Sequence, residues 1–125
     1  YADYRQHVDE LVAAALAAAD AEKAVLRHLL RFGDALQIGH SSGAQTVDLE
    51  RTSVYLISTG KAAVPMARAA LRVLGNRLAG GVIITKESGR DWLSETRGWP
   101  IEVHLGGHPL THEASLKATQ SLCSV

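Results

Sequence analysis

Ser53-Val-Tyr-Leu-Ile-Ser-Thr-Gly-Lys-Ala-Ala-Val-Pro-Met-Ala67 changes character halfway along. Its first part, Val54-Tyr55-Leu56-Ile57, is an unbroken apolar run of the kind found in strands covered on both faces. The run stops at Ser58-Thr59-Gly60-Lys61. Ala62, Ala63, Met66, Ala69, Ala70, Val73 and Leu74 then recur at helical spacing. The spacing predicts a strand, a tight turn and a helix, with a lysine at the crest of the turn. Amides at a helix start have no intrahelical acceptor and attract anions, and a lysine beside them adds a full positive charge. Lys61 is therefore the candidate anion-binding or catalytic group, with the Ser58, Thr59 and Gly60 backbone as its cradle. Pro65 costs no hydrogen bond if it falls within the first four helical positions. A helix beginning right after Gly60 would put it at the margin, so a kink or a delayed start is expected.

Reading outward, Gly80-Gly81 leads into Val82-Ile83-Ile84-Thr85, a second buried strand. Strand, helix and strand with a short return make a parallel, right-handed βαβ unit. Lys86 to Pro100 is polar and reads as a loop. Ile101 to Leu105 reads as a third strand, Gly106-Gly107-His108-Pro109 as a turn, and Thr111 as the cap of a helix from His112 to about Cys123. Towards the N-terminus, Val8, Leu11, Val12, Ala15, Leu16 and Ala19 mark an amphipathic helix over Asp3 to Ala19. Asp20 caps a second helix, Ala21 to Arg31, expected to bury Ala24, Val25, Leu29 and the stem of His28. Residues 34–52 read as a turn-rich connection or a short extended piece. The predicted class is α/β: a three-layer Rossmann-like domain with a mostly parallel sheet, strands at 53–58, 81–85 and 101–105, preceded by two N-terminal helices. Residues 1–125 read as one such piece, with no internal boundary.

Composition narrows the partners. The 125 residues are 46% apolar and 21% charged, enough for a packed core. Thirteen basic and thirteen acidic side chains cancel and form no polybasic run, which argues against nucleic acid or a membrane surface. The single cysteine, Cys123, excludes an internal disulfide and reads as a small buried residue in a reducing compartment. With no leader-like start, the expected location is cytoplasmic.

Known phosphate signatures are incomplete. A Walker loop would need glycine where Tyr55 stands and Ser or Thr where Ala62 stands, and no G-x-G-x-x-G is present. Open parallel sheets nevertheless bind ligands beyond the carboxyl ends of their strands. Lys61, Lys86 and the Gly107-His108 turn follow the three strands and so converge on one sheet edge, which makes Lys86, Gly107 and His108 further candidate substrate contacts. Ser115 is a candidate hydroxyl donor. His104, His108 and His112 are spaced by four, but Gly106, Gly107 and Pro109 prevent the helix that would align them as metal ligands.

Several short matches then accumulate in collinear order: Ala18-Ala19-Asp20, Ala24-Val25-Leu26-Arg27-His28-Leu29, Gly60-Lys61-Ala62-Ala63-Val64-Pro65-Met66-Ala67, Leu74 to Val82, Thr85-Lys86 and Gly107-His108-Pro109. Together they resemble the class II glycerate kinases, the glycerate 2-kinases whose C-terminal domain bears the MOFRL motif and which sometimes carry the older label hydroxypyruvate reductase. The resemblance implies transfer of phosphate from ATP to the 2-hydroxyl of D-glycerate or a similar hydroxy acid, with Mg²⁺ assisting, in a cleft between two α/β domains. Lys61 would then contact the substrate or the moving phosphoryl group. It also implies an N-terminal piece, expected to be inactive alone, and leaves room for a homodimer. A sugar-phosphate-binding module resembling sugar isomerase domains, without catalysis, is the alternative. A reductase would need a dinucleotide site that this sequence lacks.

Overall fold

The computed structural model describes residues 2–86, 96–107 and 113–123. Helix α1 (Ala2–Ala18) runs almost directly into α2 (Ala21–His28). An antiparallel sheet follows, β1 (Leu29–Phe32), β2 (Ala35–Ile38) and β3 (Gln45–Asp48), in sequence order, with a short 3-10 turn at Ser41–Gly43. The chain then enters β4 (Val54–Thr59), α3 (Ala63–Leu74), a 3-10 turn at Gly75–Arg77, β5 (Leu78–Lys86), β6 (Ile101–Gly106) and α4 (Glu113–Leu122). Strands β4, β5 and β6 form a parallel sheet in that order. The α/β class, the parallel sheet and the two preceding helices match the sequence reading.

Strand parity explains the layers. Leu56, Gly81 and Ile101 are in register, as are Ser58, Ile83 and Val103, so these side chains share one face of the sheet. Helix α3 covers that face: Ala63, Ala67, Ala70, Leu71 and Leu74 join Ile83 and Leu78 in the core. Alanines let the helix axis come close, while buried Leu71 and Leu74 each contribute about 2–3 kcal/mol through apolar burial. The opposite face receives α4, whose Ser115 approaches Gly106 and Ile84; a Cβ on Gly106 would sit 3.5 Å from Ser115 Oγ.

Four expectations need correction. The second helix does not reach Arg31. It stops at His28, because Leu29–Phe32 pairs with Ala35–Ile38 across a Gly33 turn with φ +62°. Residues 34–52 accordingly hold two strands, hidden from pattern reading because each is only four residues long. The His28 stem is not buried: its ring is exposed and stacks on His40 with centroids 4.5 Å apart. Cys123 is exposed as well. Pro65, by contrast, resolves as a delayed start: α3 opens at Ala63, and Pro65 becomes its third residue, where no amide is required.

The small sheet is fastened to the parallel one by guanidinium groups. Arg31 Nη1 donates to the Leu74 carbonyl at 2.6 Å, and Arg77 pairs with Asp34. On the α2 side, Arg72 meets Glu22 at 2.7 Å. Helix α1 stays apart, with Tyr4, Val8, Leu11, Val12 and Leu16 all exposed. No helix among the described residues is long and apolar enough to cross a membrane.

Asp20 caps α2 by accepting from the Lys23 amide at 3.0 Å. That bond lowers the Asp20 pKa against an opposing desolvation, and the charge of Lys23 adds to it. A carboxylate depressed on folding stabilises above its unfolded pKa, and the stabilisation is lost as pH falls through the folded value. Thermal melts of Asp20→Ala should therefore fall below wild type at pH 7 and converge with it at a pH below the native Asp20 pKa. A second expectation concerns packing. A Cβ on Gly81 would lie 2.5 Å from the Leu56 carbonyl oxygen, whereas one on Gly80 meets the half-exposed Tyr55 ring at 3.2 Å and the Pro100 carbonyl oxygen at an ordinary 3.7 Å. Urea unfolding should show Gly81→Ala costing about 1–3 kcal/mol, and Gly80→Ala costing clearly less.

Candidate functional site

The carboxyl ends of β4, β5 and β6 open onto a cleft of ≈ 420 Å³, within the range of small-molecule sites. Lys61 and Lys86 supply its charge, Thr59, Thr85, Ser115 and Thr119 its hydroxyls, and Ile84 and Leu122 its apolar wall. Gly60, Gly106 and Gly107 complete it with bare backbone. A second hollow of ≈ 470 Å³ lies beside Arg31 and Arg72. Its guanidiniums are already engaged, by the Gly33 and Leu74 carbonyls and by Glu22 respectively. The first cleft is therefore the better candidate, despite its slightly smaller volume.

Local folding places Lys61. Strand β4 ends at Thr59, where Gly60 adopts φ +101°, a value that disfavours any side chain. The Gly60 amide extends the parallel ladder by donating to the Ile84 carbonyl at 3.1 Å. The Gly60 carbonyl then accepts from the Ala63 amide at 3.2 Å, closing the turn that leads into α3. Lys61 sits inside this turn, exposed, at the positive end of the helix. Among the described residues, nothing accepts a hydrogen bond from the Lys61 or Ala62 amide. Lys61 and Lys86 likewise pair with no acidic group among the described residues. Two cations without acidic partners among the described residues, one of them beside open amides, favour an anion, and a carboxylate or phosphate would make charge-assisted bonds to them.

Each sequence candidate can now be placed. Thr59, Gly60, Lys61, Lys86 and Gly107 all line the cleft. Ser58 is buried and turned inward, donating its hydroxyl to the Ala63 carbonyl at 2.9 Å. The Gly60 amide is held by Ile84, so the amides left for a ligand are those of Lys61 and Ala62. His108 lies outside the described residues. His104 is directed to its own strand, with Nε2 3.2 Å from Glu102.

Helix α4 supplies what pattern reading missed. Ser115, Thr119 and Leu122 are spaced by four and three residues and so share one helical face, the one turned to the cleft. Of these, only Ser115 stood out beforehand. Ser115 Oγ accepts from the Gly107 amide at 3.1 Å, and Thr119 Oγ1 donates to the Ser115 carbonyl at 2.9 Å. The i, i+4, i+7 polar-polar-apolar spacing was visible, but nothing in one sequence says which face of α4 meets a cleft. Thr85 is 5% exposed and was hidden among strand residues. No group of three or more metal-ligating side chains occurs among the described residues.

The chain belongs to the family described as Domain of unknown function (DUF4147), whose model it matches over residues 7–125. It is also 39% identical over 67 residues to a protein named D-glycerate 2-kinase from Thermotoga maritima. That match takes in 54% of this chain but 15% of the relative's length. No solved structure matches the chain significantly. The family recognised from the short collinear motifs is thus the one to which the chain belongs.

The cleft makes a specific prediction. Inorganic phosphate, followed by backbone amide shifts at Gly60, Lys61, Lys86 and Gly107, should bind more weakly in Lys61→Ala or Lys86→Ala, each by about tenfold for one lost charge-assisted bond. Raising the salt concentration should weaken the wild-type response.

Proposed function

We propose that this chain, as a member of the DUF4147 family, forms the anion-binding part of an enzyme that transfers phosphate from ATP to the 2-hydroxyl of D-glycerate or a similar small hydroxy acid. The observation that carries the reading is that two lysines with no acidic partner among the described residues meet hydroxyl side chains around one cleft. A hydroxy acid offers a carboxylate for the cations and hydroxyls for Thr59, Ser115 and Thr119. The name of the Thermotoga maritima relative supports the choice of glycerate.

Phosphoryl transfer needs little covalent help from a protein; catalysis is mostly positioning and neutralisation of charge. On this reading Lys61 neutralises the substrate carboxylate or the charge building on the equatorial phosphoryl oxygens. The fixed dipole of α3 acts in the same direction without reorganising. Lys86, one strand over, holds the second negative group in line. The apolar side formed by Ile84 and Leu122 limits water and strengthens both attractions.

The fit is selective. Cations and hydroxyls suit the phosphates of ATP and the carboxylate of glycerate. A magnesium ion is poorly matched to this lining, which contains no carboxylate among the described residues. The reductase label finds no support in a cleft without a dinucleotide loop.

The test uses the full-length protein, ATP and D-glycerate. Lys61→Ala should lower phosphoryl transfer by roughly 10²–10³-fold, as removal of a preorganised charge-stabilising group does, while the melting temperature stays close to wild type. Near-normal turnover in that variant refutes the assignment. Stabilisation by a sugar phosphate with no response to ATP would instead favour a non-catalytic phosphosugar module.

A further inference from the structure

We infer that Ser58 is a positioning residue that holds the Lys61 turn in its working shape, a role that rests on the reading of Lys61 given above. Ser58 is a buried polar side chain (9% exposed) at the end of β4, on the face covered by α3. Its hydroxyl reaches five residues ahead and donates to the Ala63 carbonyl at 2.9 Å. The loop so closed contains Thr59, Gly60, Lys61 and Ala62. Two further bonds constrain the same loop, from the Gly60 amide to Ile84 and from the Ala63 amide to the Gly60 carbonyl.

These three bonds divide the labour. The Gly60 amide ties the turn to the sheet, and the Gly60 carbonyl starts the helix. Only the Ser58 hydroxyl ties the last turn of the strand directly to the first turn of the helix, across the lysine. The bond is also dispensable for folding in a way the other two are not. As the first helical residue, Ala63 keeps its intrahelical acceptor role toward the amide four residues on, so its carbonyl is not orphaned when the hydroxyl is removed. Loss of Ser58 Oγ therefore loosens the loop more than it unfolds the domain. Displacement of a positioned group by about 1 Å can cost about 10²-fold in rate. A hydroxyl at position 58 matters, on this account, only through the ammonium it steadies.

The experiment is a double-mutant cycle in the full-length protein, run at a temperature where all variants are folded. Ser58→Ala should lower kcat for D-glycerate phosphorylation by about tenfold or more and leave KM for ATP unchanged. Ser58→Thr, which keeps an oxygen in the same place, should recover most of the loss. Added to Lys61→Ala, Ser58→Ala should change the residual rate by less than about twofold, because coupled residues are not additive. A Ser58→Ala enzyme within twofold of wild type, or one that loses the same factor in both backgrounds, overturns the inference. Should the wild type transfer no phosphate to D-glycerate, the kinase reading fails, and amide hydrogen exchange decides the role of Ser58 separately. The Gly60 and Ala63 amides should then exchange about tenfold faster in Ser58→Ala, with Val82 unchanged, as expected of local opening. Unchanged rates at Gly60 and Ala63 overturn the inference on their own.

Discussion

Three hydrogen bonds at the handover from β4 to α3 organise the rest of the molecule. The Gly60 amide reaches across to Ile84, the Gly60 carbonyl accepts from Ala63, and the buried Ser58 hydroxyl closes the span between strand and helix. A strand must stop and a helix must start within three residues, with a lysine raised between them. A glycine accommodates the positive φ that this requires, and a helix beginning at Ala63 accommodates Pro65 as its third residue. Once that handover is made, α3 falls across β4 and β5 with its alanines against Ile83, and the parallel sheet follows.

The same handover creates the electrostatic asymmetry of the domain. The chain as a whole is neutral, and among the described residues most ion pairs tie α2, α3 and the small antiparallel sheet together. At the carboxyl end of the parallel sheet the arrangement differs. Lys61 and Lys86 stand without described acidic partners, and the start of α3 adds its own positive field. Surface ion pairs contribute little to stability, so leaving these two cations unpaired costs the fold little.

Helix α4 closes one side of that charged edge with polar and apolar side chains. Its Ser115 fixes the turn after β6 through the Gly107 amide, and its Thr119 and Leu122 add a hydroxyl and an apolar wall. Charge alone would hold any anion. Hydroxyls at defined positions offer hydrogen-bond partners to one that also carries hydroxyls.

The period change between Ile57 and Ala62, the Gly-Lys crest and the second glycine-led strand were enough to derive a parallel βαβ unit and its cationic edge. These signals are local: apolar periodicity and turn chemistry act within a dozen residues. The antiparallel strands after His28 were not legible, since strands of four residues carry too few alternations to rise above a turn-rich background. Nor could a single sequence reveal that Ser58 faces inward or that Thr119 and Leu122 face the cleft. Those facts depend on which sheet face each helix covers, and that is decided by packing between segments far apart in the chain. The sequence by itself determined where a cation would be raised; tertiary structure decided what surrounds it, because the side chains lining the cleft come from three strands and a distant helix.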